Sequence, residues 1–184
     1  SKKNTNRSLA QSQQTLRELL TRIAQFPRPI STRVYLSCVF HCPYEGATNI
    51  NTVIKTIQSL RAMGVTRISL GDTTGKGTPE TTAALLTGLT NTMPVNELAV
   101  HFHDTHHRAI DNIAVALEYG ITTIDSAAGG LGGCPYAPGA SGNVATEHVI
   151  ALLKEKGIPT TIDIEKVQAA VKPIQHYLKQ HHER

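Results

Sequence analysis

Two histidines in one short apolar stretch are the residues whose spacing most clearly favours chemistry. His101 and His103 are two positions apart in a stretch of strand length, so their imidazoles would point to the same side of a strand. Two such imidazoles suit a single metal ion, because each offers one neutral nitrogen. An isolated pair of this kind is more often structural. Here Asp104 adjoins the pair and a loop ending at Asn143 would face it, so we interpret the pair as metal-binding.

A glycine-rich stretch with one thiol is the second chemical feature. Residues 129–143 read GGLGGCPYAPGASGN and carry Cys134. Glycine and proline disfavour a helix or a central strand, and a loop of this length in a compact domain is usually either functional or disordered. A thiol with a pKa of about 8.5 holds its proton near neutral pH and can give it to a carbanion, or it can act as a nucleophile beside a base. The residues leave both roles open.

The elements that must position these residues alternate between strand and helix. Short apolar stretches separated by helical spacing predict right-handed βαβ units and a parallel sheet buried on both faces. The predicted strands are residues 34–40, 67–70, 98–103 and 121–125. The predicted helices are residues 9–23, 49–64, 78–93, 108–120, 144–157 and 163–181, the last with a kink at Pro173.

The fold class that follows is α/β. Four βα units and a leading helix amount to part of a (β/α)8 barrel, which needs about 250 residues when whole. A doubly wound sheet is the alternative, but Pro135 stands where the third glycine of its phosphate-binding fingerprint belongs. We expect one domain over residues 1–184, with a leading helix in 1–30, four βα units in 31–160 including a catalytic loop at 127–143, and a C-terminal helix in 161–184. In either architecture the functional groups gather at the carboxyl ends of the strands.

Composition limits the partners that we expect. The chain of 184 residues has a formal net charge of +4 and no apolar run as long as a membrane span, so we expect neither a membrane segment nor a signal peptide. Its basic clusters lack interleaved aromatic residues, which argues against nucleic acid and fits a small anionic substrate. An odd number of cysteines indicates reduced thiols, and we interpret Cys38 and Cys42 as structural.

Four segments together resemble one enzyme family. They are SCVFHCPYEG at 37–46, SLGDTTGKGTP at 69–79, VHFHDT at 100–105 and GLGGCPYAPGASGN at 130–143. Their sequences are similar to those of 3-hydroxy-3-methylglutaryl-CoA lyases, which belong to the metal-dependent lyases and Claisen-type synthases built on a TIM barrel. Isopropylmalate and homocitrate synthases share the histidine strand but not the cysteine loop, so that loop is the specific part of the resemblance.

The resemblance implies roles for five residues. His101 and His103 match the histidine ligands of a divalent cation, Mg2+ or Mn2+, and Asn143 matches its amide ligand. Cys134 matches the catalytic cysteine and Asp72 an acidic active-site residue. The implied reaction cleaves 3-hydroxy-3-methylglutaryl-CoA into acetoacetate and acetyl-CoA. In it His101 or Asp72 removes a proton and Cys134 protonates the resulting enolate. The resemblance also implies an acyl-CoA partner, a homodimeric intact enzyme, and a bacterial cytoplasm or a mitochondrial matrix as the compartment.

The departures from the family pattern leave two alternatives. The chain matches the last four βα units of the barrel, so the family's first-strand Arg-Asp pair, with one more metal ligand, is expected to be missing. His41 also stands where a glycine is usual, and His106-His107 replaces a Tyr-Gly-like pair. The chain could therefore be an inactive truncated half barrel, or part of a Claisen-type synthase.

Overall fold

Six strands and six α-helices form the part of the chain that the computed structural model describes, residues 7–132 and 142–181. The helices are α1 (Leu9–Ala24), α2 (Ile50–Ala62), α3 (Pro79–Leu89), α4 (Ala109–Glu118), α5 (Thr146–Glu155) and α6 (Ile164–His181). The strands are β1 (Val34–Ser37), β2 (His41–Cys42), β3 (Gly46–Ala47), β4 (Ile68–Asp72), β5 (Leu98–Phe102) and β6 (Thr123–Asp125). Short 3-10 helices occupy Val95–Glu97 and Ala128–Gly130.

A four-stranded sheet carries the fold, in the order β1-β4-β5-β6 with every pair parallel. One row of paired residues runs across it through Leu36, Leu70, Val100 and Ile124. Each crossover passes through a helix, as parallel pairing requires. The predicted α/β class, with consecutive βα units of a partial barrel, is confirmed.

The helical face of the sheet holds the core. Leu70 and Val100 in the sheet are fully buried, as are Ile57 of α2, Leu85 of α3 and Ile113 of α4. Burying each such side chain contributes about 1.5–3 kcal/mol, so this layer stabilises the described part strongly.

The opposite face of the sheet is more polar and only partly covered. Along β1 the residues alternate between half-buried and exposed, and Tyr35 is 51% exposed. The prediction that both faces would be buried is therefore wrong for β1, because no described element covers this side of that strand. The side chains on this face are the ones that form the candidate site.

The end of β1 differs from the predicted strand of residues 34–40. Cys38 has a φ of 60°, which an extended strand cannot accommodate, so β1 ends at Ser37. The following residues turn into a small hairpin of β2 and β3, which pairs His41 with Ala47 and was not predicted. This hairpin brings His41 to the carboxyl edge of the sheet.

Several other boundaries move by a few residues. Helix α3 ends at Leu89 rather than near residue 93, and a turn follows in which the backbone N–H groups of Thr92 and Met93 both donate to the carbonyl of Leu89. Strand β5 ends at Phe102, because His103 pairs with Asn143 in an isolated antiparallel bridge instead of extending the sheet. Strand β6 begins two positions after the predicted start, at Thr123.

The two terminal helices pack differently from those of the core. None of the residues of α1 is buried, although Leu16 and Leu20 contact the core cluster. Helix α6 is continuous through Pro173 and buries Val171. None of the described helices is both long enough and apolar enough to cross a membrane.

The predicted helix starts are confirmed at three positions. Ser8 and Thr78 each form a capping box, in which the hydroxyl accepts from the backbone three residues later and the return bond is also present. Asn49 caps α2 through its side chain, which accepts from the backbone N–H of Asn51. Pro79 occupies the first turn of α3, where its missing N–H does no harm.

We expect Thr78→Ala to lower the free energy of unfolding by about 1 kcal/mol, because it removes the acceptor for the first turn of α3. Urea unfolding followed by circular dichroism measures this. The matched control is Thr90→Ala at the other end of the same helix, where the hydroxyl donates only to the carbonyl of Thr87. Equal losses in the two variants would contradict the capping role of Thr78.

Candidate active site

The rings of His101 and His103 lie side by side at the carboxyl end of β5. Their centroids are 5.4 Å apart and their planes meet at 67°. His103 is 9% exposed, and its Nδ1 is buried without a hydrogen-bond partner among the described residues. A buried polar nitrogen without a partner is unfavourable unless something else binds it. The geometry thus leaves a donor atom of the pair available to a ligand.

Asn143 is brought to the same place by backbone contacts. It pairs with His103 in the antiparallel bridge, and its Nδ2 donates to the carbonyl of Leu131 over 2.9 Å. The backbone N–H of Asp104 donates to the carbonyl of Gly142 over 2.7 Å. Because the amide nitrogen is already used, the oxygen Oδ1 is the Asn143 atom that can serve another partner.

Burial sets the charge state of the two rings. It lowers the pKa of His101 below the usual histidine value, an effect that Asp125 opposes and Arg33 reinforces. It also lowers the pKa of His103, with a smaller contribution from His101. Both imidazoles are therefore neutral near pH 7, the form in which histidine binds metal ions.

The donor set fits a divalent cation. It consists of two neutral imidazoles and one amide oxygen, from His101, His103 and Asn143. Within residues 7–132 and 142–181, no group of three or more histidine, cysteine, aspartate or glutamate side chains is arranged to hold a metal ion, so the amide would be the third ligand. The His103 Nδ1, which has no partner among the described residues, and the Asn143 amide oxygen are the kinds of atom that such an ion would bind.

A charged network that the sequence reasoning missed lies beside His101. The Arg33 guanidinium donates to Asp125 over 2.7 Å and to the Tyr35 hydroxyl over 2.9 Å, and the Ser69 hydroxyl donates to Asp125 over 2.8 Å. The Tyr35 ring meets the His101 ring edge-on, with centroids 5.8 Å apart. One pattern in the sequence could have predicted part of this network. Arg33 and Tyr35 alternate with apolar neighbours, which places both side chains on one face of the strand.

The Asp72 carboxylate does not join the histidines. Asp72 pairs in register with Phe102, which points away from the side of His101 and His103. The carboxylate is fully buried and accepts from the backbone N–H groups of Gly77, over 2.7 Å, and Lys76, over 3.3 Å. In this position it holds the loop that follows β4.

The described residues include two of the three cysteines, Cys38 and Cys42. Cys134 lies outside the described residues. Cys38 and Cys42 are free thiols and half-buried, and the Cys38 Sγ lies 3.2 Å from the Thr73 Oγ1. Burial raises the pKa of Cys38, so this thiol stays protonated near pH 7.

Comparison with known proteins assigns the chain to a family. The family model described as HMGL-like matches residues 1–174. The chain belongs to the HMGL-like family. A hydroxymethylglutaryl-CoA lyase of Bacillus subtilis is 43% identical over 174 residues, which are 95% of this chain and 58% of that protein. Other matching HMGL-like relatives are named as cytoplasmic or mitochondrial lyases.

Solved structures of HMGL-like proteins share the fold. The HMG-CoA lyase of Brucella melitensis matches with a TM-score of 0.91 and 41% identity, over 96% of this chain and 62% of that chain. An Acinetobacter baumannii lyase, whose structure is a complex with coenzyme A and 3-methylmalate, matches with a TM-score of 0.83 and 32% identity, over 93% of this chain and 56% of that chain. The present chain therefore spans about half the length of the HMGL-like relatives that it matches.

We expect Asp72→Asn to change the pH dependence of stability. Burial raises the Asp72 pKa, so the stability that its neutral form contributes is present below the unfolded pKa of about 3.9 and is lost as pH rises through the folded pKa. An asparagine does not titrate. The free energy of unfolding of the variant, relative to wild type, should therefore rise as the pH increases above about 4.

Urea titrations at several pH values measure this difference. Asp111→Asn, which changes an exposed carboxylate on α4, is the matched control and should show no such rise. A relative stability of Asp72→Asn that falls with rising pH would show that the ionised carboxylate is favoured in the folded chain.

Proposed function

We propose that this chain carries the cation-binding and thiol-bearing part of a lyase that cleaves 3-hydroxy-3-methylglutaryl-CoA into acetoacetate and acetyl-CoA. The observation that carries the proposal is the pair of neutral imidazoles, His101 and His103, beside Asn143 at a strand end of an HMGL-like chain. Relatives with 41–45% identity over more than nine-tenths of the chain are named as lyases of this substrate, which supports the same chemistry here.

A divalent cation, Mg2+ or Mn2+, would be held by His101, His103 and Asn143. Such an ion supplies a Lewis acid that polarises bound oxygen atoms and lowers the pKa of a hydroxyl. Imidazole nitrogens are softer ligands than the oxygens that Mg2+ prefers, so this donor set favours Mn2+ over Mg2+.

His101 is the residue to which we assign removal of the substrate's hydroxyl proton. A neutral imidazole that binds a cation through one nitrogen carries its proton on the other, so one ring cannot bind the ion and accept a proton at once. Asp72 is the alternative base, but its oxygens accept from backbone N–H groups on the other side of the sheet. We therefore propose that His101, His103 and Asn143 would hold the cation before the reaction, and that His101 would give up its place as a ligand to accept the proton at that nitrogen.

Cys134 is the residue that we propose to protonate the enolate of the product thioester. Support comes from the described ends of its loop. Asn143 donates its backbone N–H to the carbonyl of Gly132 over 3.3 Å, and Asn143 itself is paired with His103. The segment that bears Cys134 thus starts and finishes beside the imidazoles. A thiol that is protonated at neutral pH is a suitable donor to a carbanion.

The wider setting is part of the same proposal. The A. baumannii relative solved with coenzyme A supports an acyl-CoA as the substrate class. We further propose that the active protein is a complete barrel and a homodimer, whose polar interior includes the face with Tyr35 and Asp125. Its compartment would be the cytoplasm or the mitochondrial matrix, as the names of the relatives suggest.

We expect the chain to bind Mn2+, and His103→Ala to weaken that binding by at least about 100-fold, because the substitution removes one of three ligands. Isothermal titration calorimetry and the electron paramagnetic resonance signal of free Mn2+ measure the affinity. The control is His107→Ala, whose side chain is 86% exposed on the loop after β5. Unchanged affinity in His103→Ala, or equal losses in both variants, would remove the proposed cation site.

The lyase reaction is tested by acetoacetate release from 3-hydroxy-3-methylglutaryl-CoA in the complete barrel. We expect release to require Mn2+ or Mg2+, and Cys134→Ala to lower kcat about 100- to 10,000-fold, since it removes the proton donor. Cys42→Ala is the matched control and should keep most of the activity. Full activity in Cys134→Ala would refute the proton-donor role, and release that needs no cation would refute the metal-dependent mechanism.

A further inference from the structure

Three basic side chains from three separate segments lie at the carboxyl edge of the sheet, outside the group formed by His101, His103 and Asn143. They are His41 in β2, Lys76 in the loop after β4, and His106 in the loop after β5. The Lys76 ammonium lies 3.4 Å from the Nε2 of His41. Burial lowers the pKa of His41, Lys76 and to a smaller extent His106 lower it further, and the Asp72 carboxyl group opposes the shift. The three side chains therefore lie close enough to interact, and Lys76 supplies the positive charge.

The contact with Lys76 fixes the state of the His41 ring. An ammonium group can only donate, so Nε2 must be the accepting nitrogen and the ring proton must be on Nδ1. That Nδ1 is buried and has no partner among the described residues. The imidazole is therefore neutral, and the positive charge of the pair belongs to Lys76, whose side chain is exposed.

No described carboxylate neutralises Lys76. Within residues 7–132 and 142–181 its ammonium forms no ion pair within 4.0 Å. The nearby acid, Asp72, is buried and accepts the backbone N–H groups of Lys76 and Gly77 instead. The Asp72 carboxylate therefore anchors the backbone of the loop that carries Lys76. An anchored loop loses less conformational entropy when a ligand binds to it.

The loop also borders the candidate active site. A Cβ built on Gly75 would come within 3.0 Å of the backbone oxygen of His103, so the loop after β4 packs directly against the end of β5. The backbone oxygen of His41 accepts a long hydrogen bond of 3.4 Å from the Thr74 hydroxyl. A ligand seated at His101 and His103 could therefore extend across this rim.

We propose that Lys76, with His41 and His106 beside it, forms a subsite for a phosphate group of the coenzyme A portion of the substrate. The inference rests on the proposed function, because it takes the substrate to be an acyl-CoA. Coenzyme A carries a pyrophosphate and a 3′-phosphate, and phosphate is the anion that a lysine ammonium binds well as a point charge. The acyl end of the substrate would remain at the imidazoles, while the rim binds the distant anionic end.

Binding measurements with three related probes test this subsite. They are coenzyme A, dephospho-coenzyme A, which lacks the 3′-phosphate, and pantetheine, which has no phosphate. The variants are Lys76→Ala and Lys76→Arg, with Lys55→Ala as a control at an exposed lysine on the outer surface of α2. Titration calorimetry at low and high salt gives the affinities. The Lys76 side chain is exposed, so its removal should leave the fold intact, which circular dichroism checks.

We expect Lys76→Ala to bind coenzyme A about 5- to 10-fold more weakly than wild type, with a smaller dependence on salt and unchanged affinity for pantetheine. Lys76→Arg and Lys55→Ala should bind coenzyme A like wild type. If Lys76→Ala and wild type bind dephospho-coenzyme A equally well, the subsite binds the 3′-phosphate. If Lys76→Ala also binds dephospho-coenzyme A more weakly, the subsite binds the pyrophosphate. Equal coenzyme A affinity in wild type and Lys76→Ala, an equal loss for pantetheine, or no binding of coenzyme A to wild type would overturn the proposal.

The subsite and the lyase reaction can fail separately. In the complete barrel, Lys76-dependent binding of coenzyme A without release of acetoacetate from 3-hydroxy-3-methylglutaryl-CoA would refute the lyase and support the subsite. Release of acetoacetate, together with a coenzyme A affinity that does not change in Lys76→Ala, would refute the subsite and support the lyase.

Discussion

The antiparallel bridge between His103 and Asn143 is the contact on which the candidate site depends. It joins the end of β5 to the far end of a glycine-rich segment, and the hydrogen bond from Asp104 to Gly142 reinforces it. These backbone bonds bring the amide oxygen of Asn143 to the two imidazoles. The chemistry therefore rests on main-chain pairing that is independent of the side chains it positions.

The two faces of the sheet divide the work between stability and chemistry. One face buries large apolar side chains such as Leu70 and Phe102 under the helices. The other presents His101 with the Arg33–Asp125 ion pair beside it. Because successive residues of a strand point to opposite sides, Asp72 falls on the core side although it ends a strand like the other polar residues. Its carboxylate serves the loop after β4, and that loop in turn presents Lys76.

Much of this arrangement follows from the sequence, for identifiable reasons. Regular alternation of apolar stretches predicts the parallel sheet, and the spacing of His101 and His103 predicts their shared side, because both depend on local periodicity. The hairpin at His41 escapes prediction, since it depends on the positive φ of Cys38. The Arg33–Asp125 pair escapes it for another reason. It joins residues 92 positions apart, and one sequence does not show which distant side chains meet.

The position of Gly132 carries a consequence for natural variation. Its φ is 102°, and a Cβ there would lie 2.6 Å from the Asn143 amide nitrogen. Even the methyl group of an alanine would displace the side-chain amide of Asn143, and with it the amide oxygen. A change of this kind replaces none of the three proposed ligands, yet it would displace the amide group of one of them. Cation affinity at the proposed site would therefore depend on a residue that supplies no ligand atom.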